Sequence, residues 1–156
     1  MLDKIEKDQA IIICQKALNN WGYALQKVVA MEECSELIDA ITNSTIREPH
    51  NVEEEVADIE IMCIQLRIMY GSKEVDKYVT NMASLPMKTI LQIEAIKACT
   101  DLIKVISKSI RSKESKIHEK IAWMEIMCNH LRDSYDNNKV DELKQFKLKR
   151  LTELVW

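Results

Sequence analysis

Two acidic pairs interrupt the apolar faces of two consecutive predicted helices, and this pattern most constrains the fold. Apolar residues between positions 26 and 70 recur in steps of three and four, which is the spacing of a buried helical stripe. The acids Glu33 and Glu36 fall in the first stripe, and Glu55 and Asp58 fall in the second. Carboxylates on inward faces repel one another and resist desolvation unless a cation neutralises them. Since hard divalent cations prefer oxygen ligands, the pattern predicts a metal site on two adjacent helices.

Each predicted stripe is defined by the side chains that share one face of its helix. They are Leu25, Val29, Glu33, Glu36 and Ala40 on the first helix, and Glu55, Asp58, Met62, Leu66 and Met69 on the second. The alternative is that the acids belong to ordinary solvated faces, because 30% of the chain is charged. The coincidence of two pairs on two stripes favours the metal site.

Glycine and proline are too scarce for a chain built from strands and tight turns. The 156 residues contain two of each, and 47% are hydrophobic, with eight methionines and one phenylalanine. Helices that pack through aliphatic and thioether side chains account for this composition. The length suits one domain with a sizeable core. We therefore predict an all-α helical bundle that forms a single domain over residues 1–156.

Turn residues divide the chain into the expected helices. These cover about residues 3–20, 23–42, 51–70, 73–82 and 86–110, then a helix through 117–131 after a polar break at 111–115, and a last helix from about 139. Gly22 is expected to end the first helix with a left-handed backbone. Asn51 and Glu54 have the spacing of a capping box for the third. Ser72 is a candidate cap for the fourth helix, and Pro86 suits the first turn of the fifth.

Charge, hydropathy and cysteine use exclude several classes of protein. A net charge of −3 provides no basic surface for nucleic acid. No apolar run approaches the roughly 18 residues of a membrane span, and the N-terminus lacks the apolar core of a signal peptide. The five cysteines are dispersed, without a CxxC or Cys/His cluster, so we interpret them as reduced core residues rather than zinc ligands. We expect a cytoplasmic protein without nucleic-acid or membrane partners.

The two halves of the chain match at a constant offset of 65 residues. The segment AMEECSELIDAI (30–41) aligns with AIKACTDLIKVI (95–106), and EIMCIQLR (60–67) aligns with EIMCNHLR (125–132). An ungapped register over separate blocks indicates a duplicated helical hairpin. We place repeat 1 at about residues 20–83 and repeat 2 at about 85–151.

The second repeat lacks the acidic cluster of the first. At the offset of 65, Glu33, Glu36, Glu55 and Asp58 are replaced by Ala98, Asp101, Lys120 and Trp123, respectively. Acids that served only solubility would not be replaced by alanine and tryptophan. Repeat 1 is therefore predicted to hold the metal, and repeat 2 to be a degenerate scaffold. Conversely, the basic segment KLKRL (147–151) has no basic counterpart in repeat 1.

The two acidic motifs and their flanks together resemble a known family. An EExxE motif is followed, after a gap of 18 residues, by ExxD on the next helix. The matching positions are Glu32, Glu33 and Glu36, then Glu55 and Asp58, with Trp21, Gly22 and Gln26 ahead of them and KLKRL near the end. This constellation resembles the MazG-like all-α nucleoside triphosphate pyrophosphohydrolases. The resemblance covers about residues 10–80, and the second half is similar only as a degenerate copy.

That resemblance implies a Mg²⁺-dependent hydrolase, with Mn²⁺ as a substitute ion, that converts a nucleoside triphosphate to its monophosphate and pyrophosphate. A dUTP or another non-standard deoxynucleotide is an expected substrate. The implied metal ligands are Glu33, Glu36, Glu55 and Asp58, with Glu36 and Glu33 as the catalytic carboxylates. Glu32 and Glu54 are neighbouring acids, and Glu54 is expected to face water beside the helix cap.

Four further residues are candidate substrate contacts. Lys147 and Arg150 suit the phosphates, because arginine can donate two parallel hydrogen bonds. Trp21 and Gln26 suit the base, by stacking and hydrogen bonding. The alternatives are a solvated basic terminus for Lys147 and Arg150, and a packing role for Trp21.

Members of this family commonly assemble so that helices of two protomers complete each bundle. A duplicated chain with one degenerate half would form a pseudo-dimer with one site. Pairing of two such chains as a homodimer is a further expectation.

Other functions agree less well with the sequence. A weakly active or inactive helical module that binds nucleotides or a protein is the main alternative, since the second repeat has lost its acids. A ferritin-like di-iron bundle needs Glu-x-x-His motifs, and no glutamate precedes His50, His118 or His130 by three residues.

Overall fold

The computed structural model describes residues 3–113 and 116–156, and this part of the chain is all-helical. Seven helices contain 83% of the described residues, without a strand among them, so the all-α prediction is confirmed. Residues 1–2 of the predicted domain and 114–115 of the polar break lie outside the described ranges. The helices are α1 (Lys7–Trp21), α2 (Tyr23–Thr45), α3 (Val52–Tyr70), α4 (Ser72–Met82), α5 (Leu91–Arg111), α6 (Ile117–Ser134) and α7 (Asn137–Val155).

Four helices surround the main core. Helix α2 packs on α3 and α5, and α6 packs on α5 and α3. Leu37, Leu66, Leu102 and Leu131 are each at most 1% exposed in this core, and burial of one leucine side chain contributes about 1.5–3 kcal/mol. Two of these leucines follow the other two by 65 residues. The short helices cross between the hairpins, because α4 packs on α6 whereas α7 packs on α3.

Helix α1 lies outside this arrangement and covers α3 and α7. It buries a smaller cluster made of Ala10, Ile13, Cys14, Ile61 and Leu148. The segment before α1 is tied to α7, because the backbone N–H of residue 5 donates to the side chain of residue 145 at 2.8 Å and receives a bond in return at 3.0 Å. This tie fixes the N-terminal segment beside the last helix.

Two arginine–glutamate pairs join the two halves of the chain reciprocally. Arg67 on α3 donates through Nε to Glu125 on α6 at 2.6 Å, and Arg132 on α6 donates to Glu60 on α3 at 2.5 Å. Each arginine also binds the helix that follows its own, at Asp76 and Asp141, respectively. The same set of charged contacts thus occurs twice, with 65 residues between equivalent partners.

Several helix starts differ from the predictions. Helix α1 begins at Lys7 rather than residue 3, where Glu6 and Gln9 form a capping box. The capping box predicted at Asn51 is wrong, because Asn51 Nδ2 donates instead to Glu55 Oε1 at 2.7 Å. Ser72 makes no capping bond and its hydroxyl accepts from Arg67 at 2.7 Å.

The remaining helix ends differ for local reasons. Helix α5 begins at Leu91 rather than Pro86, since the Glu94 carboxylate accepts from the backbone N–H groups of Lys88 and Thr89 and holds this segment outside the helix. Helix α2 continues to residue 45, and α7 begins at residue 137 after an aspartate cap. Gly22 ends α1 with a φ of +82°, which favours glycine.

All five cysteines are buried and free, as the sequence predicts. Burial raises the pKa of the Cys14 thiol to about 12, so this thiol is a poor nucleophile at neutral pH. Among the described residues, the helices are each too short or too polar to cross a membrane.

We predict that Arg132→Met lowers the free energy of unfolding by about 2–3 kcal/mol, because it leaves the half-buried Glu60 with Lys144 alone. Urea denaturation at pH 7 measures this change. Arg111→Met is the control, since Arg111 is exposed at the end of α5 and has no ion pair among the described residues. Equal losses in the two variants would contradict a structural role for the reciprocal pairs.

The effect of Arg132→Met should shrink in acid. Burial by itself raises the pKa of Glu60, but hydrogen bonds from Arg132 and the charge of Lys144 lower it overall. A carboxyl group with a lowered folded-state pKa stabilises the protein above its unfolded-state pKa, and this contribution is lost as the pH falls through the folded-state pKa. The difference between wild type and Arg132→Met should therefore decrease below about pH 4.5.

Candidate metal centre and adjoining cavity

The buried side of α2 lies one residue further along the helix than predicted. Its buried residues are Gln26, Ala30, Cys34, Leu37, Ala40 and Ile41. Leu25, predicted to be buried, is 50% exposed, and Glu36 is also exposed. Packing of α2 on both α3 and α5 selects this face. The correction leaves Glu33 half-buried at the edge of the stripe, where it faces α3.

Three of the four predicted metal ligands meet between α2 and α3. One carboxylate oxygen each of Glu33, Glu55 and Asp58 lies within 4.8 Å of the other two. Glu55 is 6% exposed. Oε2 of Glu33 and Oε2 of Glu55 are buried without a hydrogen-bond partner among the described residues. Buried polar atoms nearly always have a partner, so these oxygens fit a site that receives a hard divalent cation.

The acids raise one another's pKa values. Burial, followed by the charges of Asp58, Glu36 and Glu55, raises the pKa of Glu33 to about 8. Burial and the nearby carboxylates raise the pKa of Glu55 to about 7. The cluster therefore holds protons near neutral pH in the absence of a cation.

Lys147 supplies the nearest positive charge from α7. Its Nζ donates to Asp58 Oδ2 at 2.6 Å and to Glu54 Oε1 at 3.3 Å. Burial alone raises the pKa of Asp58, and the bond and charge of Lys147 lower it in part, which leaves it above its ordinary value. The pKa of Lys147 is lowered by burial but raised overall by Asp58 and Glu54. Glu54 is exposed, as expected, but it pairs with Lys147 instead of capping a helix.

Glu36 lies on the solvent side of the cluster. It lines an open cavity of about 470 Å³ with Glu55, Asn51 and three further polar residues, Glu32, Ser35 and Asp39. The hydrogen bond between Glu36 and Glu33 is one of the causes that raise the pKa of Glu33. Glu36 therefore lies beside the three clustered acids, at the boundary with water.

A second cavity, of about 440 Å³, adjoins the cluster on the side of α7. All four predicted substrate contacts line it: Trp21, Gln26, Lys147 and Arg150. Asp58 lines it as well, so the cavity and the acidic cluster share a residue. Its other walls are mainly apolar, with Leu25, Val29, Ile61, Met62, Leu151 and Leu154. Trp21 is 37% exposed, which does not fit a purely packing role.

Gln65 on α3 also lines this cavity, and the sequence analysis missed it. It is 2% exposed, and its Oε1 is buried without a hydrogen-bond partner among the described residues. The available signal was its position seven residues after Asp58, which is two helical turns along the same face.

The second half has no equivalent cluster at the corresponding positions. Asp101, the counterpart of Glu36, pairs with Lys97 and lies 3.6 Å from Lys120, the counterpart of Glu55. Ala98 is buried, and Trp123 packs against the main core. Protein cations and apolar groups thus occupy the positions that the first half fills with carboxylates.

The comparisons with known proteins add no relative to these observations. No family model, no curated protein and no solved structure matches this chain.

We predict that the metal-free protein loses stability between pH 5 and pH 8. Glu33 and Glu55 keep protons in the folded state that the unfolded chain has released, so unfolding becomes easier as the pH rises towards their raised pKa values. Mg²⁺ or Mn²⁺ at a hundredfold excess over its Kd should restore about 2.7 kcal/mol at pH 8. Thermal denaturation in EDTA and in metal measures both effects.

Glu33→Gln should reduce the pH dependence and the effect of metal, whereas Glu142→Gln, at an exposed acid of α7, should preserve both. The metal-site interpretation would be wrong if these two variants responded identically to pH and to Mg²⁺.

Proposed function

We propose that this protein is a Mg²⁺-dependent nucleoside triphosphate pyrophosphohydrolase. The observation that carries the proposal is the shared boundary at Asp58. Partnerless carboxylate oxygens lie on one side of it, and a cavity lined by two cations, an aromatic ring and an amide lies on the other. A triphosphate with a planar base matches that sequence of groups from one end to the other.

We propose further that the chain consists of two tandem MazG-like repeats, the second of them degenerate. The starts of α3 and α6, and of α4 and α7, are 65 residues apart. The reciprocal pairs Arg67–Glu125 and Arg132–Glu60 follow the same spacing. One chain would then contain the helices that two identical protomers supply in a symmetric pair, with a single site.

Glu33, Glu55 and Asp58 would hold Mg²⁺, with Glu36 available from the exposed rim. The bound ion would neutralise charge on the polyphosphate and polarise a phosphoryl oxygen. These four acids would otherwise repel the substrate, so their ionised state and its binding depend on the same cation.

Lys147 and Arg150 would contact the phosphate chain from α7. Arg150 is exposed at the mouth of the cavity, where its guanidinium can donate two hydrogen bonds to one phosphate. The ammonium group of Lys147, held by Asp58 in this structure, would turn to a phosphate oxygen when Asp58 serves as a ligand. Trp21 would stack on the base, with Gln26 at its edge.

Glu36 would orient the attacking water and accept its proton. It has a water-facing carboxylate beside Glu33, which suits a general base. Release of pyrophosphate requires that water forms a bond to the α-phosphorus as the bond to the bridging oxygen breaks. The proton passes to Glu36 and then to solvent, and the electron pair leaves with pyrophosphate.

We predict release of pyrophosphate from at least one member of a panel of ribo- and deoxynucleoside triphosphates, including dUTP, in the presence of Mg²⁺. EDTA should abolish the activity. Asp58→Asn should reduce kcat about 100-fold or more, because it removes a charged ligand. Asp101→Asn, the matched change in the second half, should keep wild-type kcat.

Two outcomes would overturn parts of this account. Silence across the whole panel would favour a nucleotide-binding or interaction module without catalysis. Glu36→Gln at the full wild-type rate would remove the general-base role of that residue.

Arg150→Gln should raise KM for the triphosphate about tenfold with a smaller change in kcat, since one charge-assisted contact to phosphate is lost. Lys149→Gln is the matched control, because Lys149 is the adjacent cation and does not line the cavity. Steady-state kinetics of both variants, with an equal KM for each, would refute the role of Arg150.

A further inference from the structure

The buried amide of Gln65 is the least explained polar group outside the acidic cluster. Its side chain is 2% exposed, yet Oε1 has no hydrogen-bond partner among the described residues. A buried acceptor without a partner costs about 1–3 kcal/mol. A glutamine that served only to fill space would be less costly as methionine, which has a similar shape without polar atoms.

Gln65 lies at the wall of the cavity that Asp58, Lys147 and Arg150 also line. Those three charged residues belong to the phosphate end in the proposed function. Around Gln65, the wall residues Ile61, Met62, Val29 and Leu25 are apolar. The cavity therefore has a charged region and an apolar region that contains neutral amide groups.

From this arrangement we propose that Gln65 is the residue that recognises the base of the substrate. The proposal rests on the proposed function and adds a residue that determines specificity. An amide offers one acceptor and two donors on a planar group. It matches a nucleobase edge that presents a hydrogen-bond donor next to an acceptor. The apolar walls exclude water from these bonds and strengthen them.

Gln26 supports Gln65 from α2. It is 6% exposed and lines the same cavity. Two amides from two helices define an edge more closely than one does, because each fixes a different pair of atoms on a planar ring. The position that follows Gln65 by 65 residues is His130, which lines none of the three cavities described above.

The test is equilibrium binding in Mg²⁺ of α,β-imido triphosphates, which resist cleavage of the scissile bond. The panel contains the deoxynucleotides of uracil, thymine, cytosine, adenine and guanine, and inorganic tripolyphosphate as a ligand without a base. Wild type should prefer one base. Gln65→Met should weaken that ligand about tenfold to a hundredfold, since two hydrogen bonds are lost. Binding of tripolyphosphate should change less than about twofold.

Gln65→Met should unfold with the same or a higher free energy than wild type, because it removes a buried acceptor without a partner. His130→Met is the control and should keep the wild-type base preference. Analogues test the same contact without a mutation. Methylation at the edge, as in N3-methyl-dUTP, N1-methyl-dGTP, N4,N4-dimethyl-dCTP or N6,N6-dimethyl-dATP, should weaken binding of the preferred base to wild type by a similar factor.

The proposal is overturned if Gln65→Met keeps the base preference, or if it weakens nucleotides and tripolyphosphate equally. It is also overturned if the methylated analogue of the preferred base binds wild type as well as the parent does. The proposed function fails separately: wild type would then release no pyrophosphate from any triphosphate. Release of pyrophosphate with an unchanged preference in Gln65→Met refutes the role of Gln65 alone.

Discussion

Mutual repulsion among three carboxylates between α2 and α3 is the constraint that the rest of the site meets. Two unit charges at the 4.8 Å limit of this cluster repel by roughly 3 kcal/mol at an effective dielectric constant of 20. Three such pairs would offset most of the 5–15 kcal/mol that stabilises a typical domain. The acids therefore hold protons, as the raised pKa values of Glu33 and Glu55 indicate, or they hold a cation.

The fold meets this constraint through its asymmetry. Helices α4 and α7 start at equivalent positions, but α7 has 19 residues and α4 has 11. The additional length carries Arg150 past the acids to the mouth of the cavity, just beyond Lys147. The reciprocal arginine–glutamate pairs fix the two halves against each other. One half can then contain costly buried acids because the other half packs conventionally against it.

Helical spacing and the scarcity of glycine and proline were sufficient to predict the fold class and most helices. The positions of Glu55 and Asp58 also followed from spacing, because α3 is buried on most of its surface. The buried face of α2 was predicted one residue out of register, since the packing of α5 selects that face and local spacing does not contain it. Gln65 was missed for a related reason: a glutamine shows its lack of a partner only after its neighbours are in place.

Manganese binding followed by electron paramagnetic resonance tests the central claim most directly, because free and bound Mn²⁺ differ in signal and no turnover is needed. We predict saturable binding to wild type that is lost in Glu55→Gln and kept in Asp101→Asn, the change in the second half. Binding that survives Glu55→Gln undiminished, or wild type that binds no Mn²⁺, would contradict the claim that the acids between α2 and α3 form a metal site.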